Sequence, residues 1–200
     1  MKACRKRGHH KFRSRKNQLG LGLTNFSLCC IIRAVSQSSK RMTAISPYPI
    51  SLRPFQADDE AFLFRLYCDT RAKEMADWGW NDSQQQAFLS MQFRARNLAY
   101  STYPNIKHSI ILNSDQPIGR LLVSRKDDEL RLVDIALLGE ACGQGIGAKL
   151  IADLFELAVR ESKPVRLHVE KSNPAFRLYQ RLGFQILENT GTQFFMEWRG

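Results

Sequence analysis

Residues 130–147 read LRLVDIALLGEACGQGIG. Leu130–Leu138 is apolar enough for a buried strand, and the glycine loop Gly139–Gly147 follows it. Beyond the loop, Leu150, Ile151, Leu154, Phe155 and Ala158 recur at helical spacing, which predicts a helix over Ala148–Ser162 that Pro164 stops. A strand running through glycines into a helix is the geometry of an anion cradle. Glycines let the backbone approach closely, and the unpaired N–H groups of the first helical turn point at a phosphate. A tight βα turn that holds nothing satisfies the same pattern, so the loop alone decides little.

Three phosphate ligands can be tested against the loop. A nucleotide P-loop needs GxxxxGK followed by Ser or Thr, but Lys149 follows Ala148 and Leu150 takes the hydroxyl position. A dinucleotide fold needs GxGxxG early in a long βαβ series, whereas this loop is GxGxG with about fifty residues after it. The third candidate is coenzyme A, whose pyrophosphate needs the same helix terminus while its pantetheine arm lies along a strand, and the turn that holds nothing stays open beside it.

Outward from the loop, the elements alternate in a definite order. Upstream, Ile50–Phe55 reads as a strand, Ala61–Tyr67 and Arg71–Trp78 as helical, and Gln84–Tyr100 as a longer helix. Asp82 or Ser83 is the expected cap of that longer helix, and Phe88, Met91, Phe93 and Leu98 are its expected apolar side. His108–Leu112 and Ile118–Ser124 flank a turn at Asn113–Gln116. Downstream come a strand Val165–Glu170, a helix Pro174–Leu182 and a closing hairpin, Phe184–Leu187 with Gln193–Trp198. The order β-α-α-β-β-β-α-β-α-β-β predicts an α/β protein with a mixed sheet and helices on both faces.

The chain has 200 residues, 44% of them hydrophobic and 24% charged, which suits one domain with a full-size core. Its +11 net charge is unevenly placed. Residues 1–46 hold eleven of the thirty basic side chains and no acid, so nineteen basic and nineteen acidic residues remain in 47–200. The body is therefore neutral, which argues against nucleic acid as a partner. Residues 1–46 are expected to be a poorly ordered basic extension. They read either as an early start with Met42 the true initiator or as an organellar targeting segment, and no A-x-A cleavage site supports a secretory signal. Three of the five cysteines (Cys4, Cys29, Cys30) fall there, and Cys68 and Cys142 show no metal-ligand spacing. A disulfide framework and a Cys/His metal site are not expected; a reducing cytoplasmic setting is, with organellar import the alternative if the basic start is genuine. The longest apolar run, Leu19–Ile32, is too short to span a bilayer, so no membrane partner is expected.

A second motif comes after the strand at 165–170. Residues 173–184 read Asn-Pro-Ala-Phe-Arg-Leu-Tyr-Gln-Arg-Leu-Gly-Phe. This resembles the second signature of the GNAT superfamily of acetyl-CoA-dependent N-acyltransferases, with Asn173, Ala175, Leu178, Tyr179, Gly183 and Phe184 at its fixed positions. The family's first signature, Q/R-x-x-G-x-G/A, is matched at Gly145 and Gly147, while Cys142 stands where the family has Arg or Gln. The resemblance covers about residues 48–200. It implies a single-domain GNAT-like α/β fold over 47–200, with a mixed, mostly antiparallel sheet of six to seven strands.

The resemblance also implies chemistry. Acetyl-CoA, with no metal, would lie in a V-shaped gap between the strands at 130–138 and 165–170. Ala136, Leu137 and Leu138 would bind pantetheine. Cys142, Gly143, Gln144, Gly145, Ile146, Gly147 and Ala148 would hold the pyrophosphate, and Asn173 and Tyr179 would add contacts. Tyr179 is the family's proton donor to the leaving thiolate, a task suited to a phenol. Asp134, a carboxylate in an otherwise apolar strand, is the candidate base for a small-molecule or peptide amine acceptor, with a structural role as its rival and Glu170 as the next candidate. The rival function is an acyl-CoA-binding regulatory or interaction module without turnover, and a homodimer is open. Trp78 and Trp80 are expected in the core, and His108 and His168 are expected to be ordinary.

Overall fold

The computed structural model describes residues 49–75 and 78–200. The expectations about residues 1–46 lie outside the described residues, as does part of the helix expected at 71–78. Among the described residues, seven strands and four helices follow in the order β1 (Ile50–Pro54), α1 (Glu60–Met75), α2 (Asp82–Ser101), β2 (Ile106–Asn113), β3 (Gln116–Arg125), β4 (Leu130–Leu137), α3 (Ile146–Glu161), β5 (Val165–Glu170), α4 (Ala175–Arg181), β6 (Gln185–Asn189) and β7 (Gln193–Trp198). They form one sheet in the order β1-β2-β3-β4-β5-β7-β6. Every neighbouring pair is antiparallel except β4 and β5. This is the expected α/β fold with a mixed, mostly antiparallel sheet.

The helices divide between the faces. On one face, α1 and α2 place Leu63, Leu66, Leu89 and Phe93 against Ile110, Leu112 and Ala136. On the other, Leu150, Ile151, Leu154 and Ala158 of α3 join Tyr179 of α4 over Leu130, Ile135, Leu167 and Val169. These α3 side chains recur at 3.6-residue spacing and are the helix's buried stripe. Removing one of them, as in Ile151→Ala, costs about 2–5 kcal/mol in transfer and cavity terms.

Four local expectations are corrected. The segment Ala61–Tyr67 and its successor form one continuous helix, α1, that ends at Met75, so Trp78 lies beyond it. Asn81, not Asp82 or Ser83, caps α2: its Oδ1 accepts the Gln84 N–H at 2.9 Å and the Gln84 side chain accepts the Asn81 N–H at 3.1 Å. The buried stripe of α2 is Leu89, Phe93, Arg96 and Tyr100, while Met91 and Leu98 are exposed. Helix α3 starts two residues early, at Ile146, because Gly145 itself is its N-cap.

Candidate functional site

The expected gap is present. β4 and β5 pair at only two positions, Leu130↔Val165 and Arg131↔Arg166, and then part. Among the described residues, the β5-facing edge of β4 has no strand partner beyond Arg131. The Leu138 N–H donates to Ile118 of β3 at 2.9 Å. Strand alternation therefore aims the Leu137 and Ile135 amides the other way, into the gap. Ala136 and Leu137 are buried and Leu138 is half-buried at the mouth.

The glycine loop ends at the same mouth. Gly143 and Gly145 have φ of 78° and 80°, a left-handed backbone that glycine adopts without strain. Among the described residues no side chain caps α3, and no acid lies in its first turn. The N–H groups of Ile146, Gly147 and Ala148 therefore present the positive end of a 16-residue helix to the loop. Gly143, Gln144 and Gly145 are exposed, and Gln144 donates to the Glu140 carbonyl at 2.8 Å. Cys142 faces the other way. It is buried in the α3-side core, and its thiol lies 3.4 Å from the Leu138 carbonyl oxygen. Its N–H donates to Gly139 at 3.3 Å. Asp69 of α1 accepts the Gly139 N–H at 2.8 Å, tying α1 to the end of β4. A cavity of about 320 Å³ opens there, lined by Arg65, Asp69, Leu138, Gly139 and Glu140. A larger one, about 510 Å³, lies between β2, β3 and α3 and touches none of the candidate residues.

Asp134 has no exposed surface and lies between two arginines. Arg96 Nη2 donates to its Oδ1 at 3.0 Å, and Arg120 Nε donates to its Oδ2 at 2.7 Å. Arg120 also donates to the Tyr100 hydroxyl at 3.1 Å. Arg96 stacks between the rings of Tyr67 and Tyr100, 5.5 and 5.3 Å from their centroids. Both carboxylate oxygens are thus engaged inside the protein, on the α1–α2 side of the sheet. Sequence reasoning missed both arginines. The available signal was Arg96 itself, a charge in register with Leu89, Phe93 and Tyr100 on the buried side of α2.

Tyr179 is fully buried, edge-to-face with Phe184 at 5.5 Å, in the same cluster as Leu137 and Val169 from the two walls of the gap. Asn173 is buried, and its Oδ1 accepts the Ala175 N–H at 2.8 Å, holding the first turn of α4. Glu170 and His168 are half-buried on the β5 face opposite the α3-side core. Arg131 donates to His168 Nδ1 at 3.1 Å, which leaves the ring proton of the neutral imidazole on Nε2. Burial and the Arg131 charge lower the His168 pKa, so the ring is neutral near pH 7. Trp78 and Trp80 are exposed rather than in the core, and with Phe88 they form a mutually edge-to-face cluster at 5.0–5.5 Å. Among the described residues no group of three His, Cys, Asp or Glu side chains could hold a metal ion. No described helix is long and apolar enough to cross a membrane.

A parted parallel strand pair, with a glycine-led helix N-terminus at its mouth, defines an α/β protein of the GNAT type. Residues 104–186 match the family model described as an acetyltransferase (GNAT) domain. Solved structures similar to it include the PaiA N-acetyltransferase of Thermoplasma acidophilum in complex with coenzyme A. That likeness has 17% identity and a TM-score of 0.59 over 76% of this chain and 99% of the other. An acetyltransferase of Thermus thermophilus gives 17% and 0.58 over 76% and 97%. The ribosomal-protein alanine N-acetyltransferase of Escherichia coli gives 17% and 0.53 over 76% and 94%. At these identities the likeness is one of fold. No curated protein matches the sequence.

Proposed function

We propose that the chain is an N-acyltransferase that moves an acetyl group from acetyl-CoA to an amine by direct attack in a ternary complex. The observation that carries this reading is the parting of β4 from β5 after two residue pairs, at the mouth of which an uncapped helix N-terminus stands ready for an anion. The residues fit coenzyme A: amides at Gly143 to Ala148 for the pyrophosphate, and the free edge of β4 at Ala136–Leu138 for the pantetheine arm. Acetyl-CoA supplies an activated thioester.

The chain's own groups do the rest. The Leu137 N–H, aimed into the gap, stabilises negative charge developing on the carbonyl oxygen. Tyr179 gives its phenolic proton to the departing thiolate. Cys142 contributes no side chain to the anion cradle, since its thiol is turned into the core. Asp134 remains the carboxylate nearest the gap along β4, but both its oxygens are engaged. Glu170, acting through water, is therefore the better candidate to take the amine's proton. The acceptor is a small-molecule or peptide amine.

The test is thiol release from acetyl-CoA with a panel of amines, amino acids and peptides. Amine-dependent release above hydrolysis is expected. Tight coenzyme A binding with no release across the panel would favour the rival reading, a binding module without turnover.

A further inference from the structure

β4 carries one residue more than β3 can pair. Leu122 pairs with Asp134 and Val123 with Leu132, which leaves Val133 as a bulge. The bulge decides where Asp134 goes. Leu130 and Leu132 face the α3-side core. Regular alternation would send Asp134 after them, into a purely apolar cluster where a carboxylate has no partner. With Val133 inserted, Asp134 falls on the opposite face, and Ile135 and Leu137 fill the α3-side core in its place. On that opposite face two guanidiniums meet Asp134 from different layers, Arg96 from α2 and Arg120 from β3. Gly119 of β3 lets the strands close tightly just beyond, since a Cβ there would collide with the Ala136 carbonyl oxygen. The bulge lies two residues past the last β4–β5 pair, where the gap opens, and upstream of Leu137.

We infer that Asp134 is a positioning residue: its paired contacts to Arg96 and Arg120 lock the β4 bulge, which lies where the gap opens and upstream of the Leu137 amide. A one-residue slip would remove the bulge, reverse every later side chain and turn the gap amides toward β3. The slip is blocked because it would bury Asp134 unpaired and leave two arginines facing each other. The functional half of this inference rests on the acetyltransferase reading above, and the structural half rests on strand register and the two ion pairs.

The test uses the full chain in three forms: Asp134→Asn, Arg120→Lys, and Asp134→Asn combined with Arg120→Gln. Hydrogen exchange of the β4 peptide, calorimetric affinity for coenzyme A, and kcat and KM across pH are measured on each. In Asp134→Asn, exchange at 132–138 should rise about tenfold or more while α3 and β7 stay protected. Its kcat should fall about ten- to a hundredfold, as expected for an amide displaced by an ångström, with the shape of the pH profile kept. Arg120→Lys keeps the charge but loses the fork and should show a smaller version of both effects. The double variant removes the excess positive charge, so its melting temperature should recover while kcat stays low. If Asp134→Asn does not fold, Arg120→Lys and the double variant carry the same comparison. Unchanged exchange at 132–138 in a folded variant overturns the inference, as does a kcat that recovers together with the melting temperature. Loss of the acidic limb of the pH profile also overturns it and makes Asp134 the base. Should the wild-type chain release no thiol with any amine, the acetyltransferase reading falls, and the exchange measurements still decide whether Asp134 locks the bulge.

Discussion

Tyr179 shows how one side chain can serve both core and chemistry. Its ring packs on Phe184 with no exposed surface, so Tyr179→Phe keeps the packing and removes only the hydroxyl. With the phenol as proton donor, kcat should fall about ten- to a thousandfold while coenzyme A affinity and melting temperature change little. Intact turnover in that variant would make the hydroxyl a binding or packing group. His108 is a second residue whose surroundings set its behaviour. Its ring stacks on Phe55 at 4.5 Å, and its Nε2 is buried without a hydrogen-bond partner among the described residues. Burial, helped by the Arg120 charge, lowers its pKa from 6.5 to about 4. The unfolded chain therefore binds a proton between about pH 6.5 and 4 that the native chain refuses, and stability must fall as pH drops through that window. His108→Phe keeps the stack and removes the titration, so its melting temperature should decline less than the wild type's across the same window. Below it both proteins should lose stability together, because Arg53 holds the Asp59 pKa down and Arg199 and Arg166 do the same for Glu197. Parallel curves for wild type and variant between pH 6.5 and 4 would rule out His108 as the source.

Among the elements, the N-terminus of α3 carries the sharpest expectation. Gly145 sits at φ 80° with open space where a Cβ would project, so a side chain there meets no neighbour but forces a left-handed backbone. Gly145→Ala should cost about 1–2 kcal/mol of stability and leave much of the cofactor affinity. Gly145→Glu adds a like charge and bulk where a pyrophosphate would rest, and should abolish coenzyme A binding in a folded protein. Calorimetry on both variants checks this, and unchanged affinity in Gly145→Glu would discard the loop assignment. The elements themselves were legible in the sequence because their signals are local: helical spacing from Leu150 to Ala158, the turn at Asn113–Gln116, and glycines after a strand. The details that were not legible depend on partners distant along the chain. Nothing near Asp134 tells of Arg96 or Arg120, 38 and 14 residues away, so the bulge at Val133 could not be read. The partners of Arg96 on the buried side of α2, Asp134 and the rings of Tyr67 and Tyr100, are settled only in the fold. Cys142 could be seen to depart from the family pattern, but its turn toward Leu138 needed the folded strand end.

At the scale of the whole molecule, charge and fold are separate matters. The excess of eleven positive charges lies entirely in residues 1–46, while 47–200 carries equal numbers of acids and bases. Within the body several of those charges are paired with one another. Glu129 is met by Lys126, Arg131 and Arg166, which outweigh its burial and keep its pKa low. Glu161 meets Arg125 and Lys163. A body so balanced has little long-range field with which to gather a polyanion, whereas an acid-free basic segment gathers one whatever domain it is joined to. A chain beginning at Met42 should therefore keep its coenzyme A affinity and its melting temperature within a degree or so of the full chain, because every residue placed at the site or supporting it lies at 65 or beyond. The same shortening should sharply reduce retention on a polyanion such as heparin, with the difference disappearing as salt is raised. Measuring both properties on both chains separates the two contributions. A shortened chain that still needs high salt to leave heparin would place a basic surface on the body. One that melts several degrees lower, or binds coenzyme A more weakly, would make residues 1–41 part of the working domain.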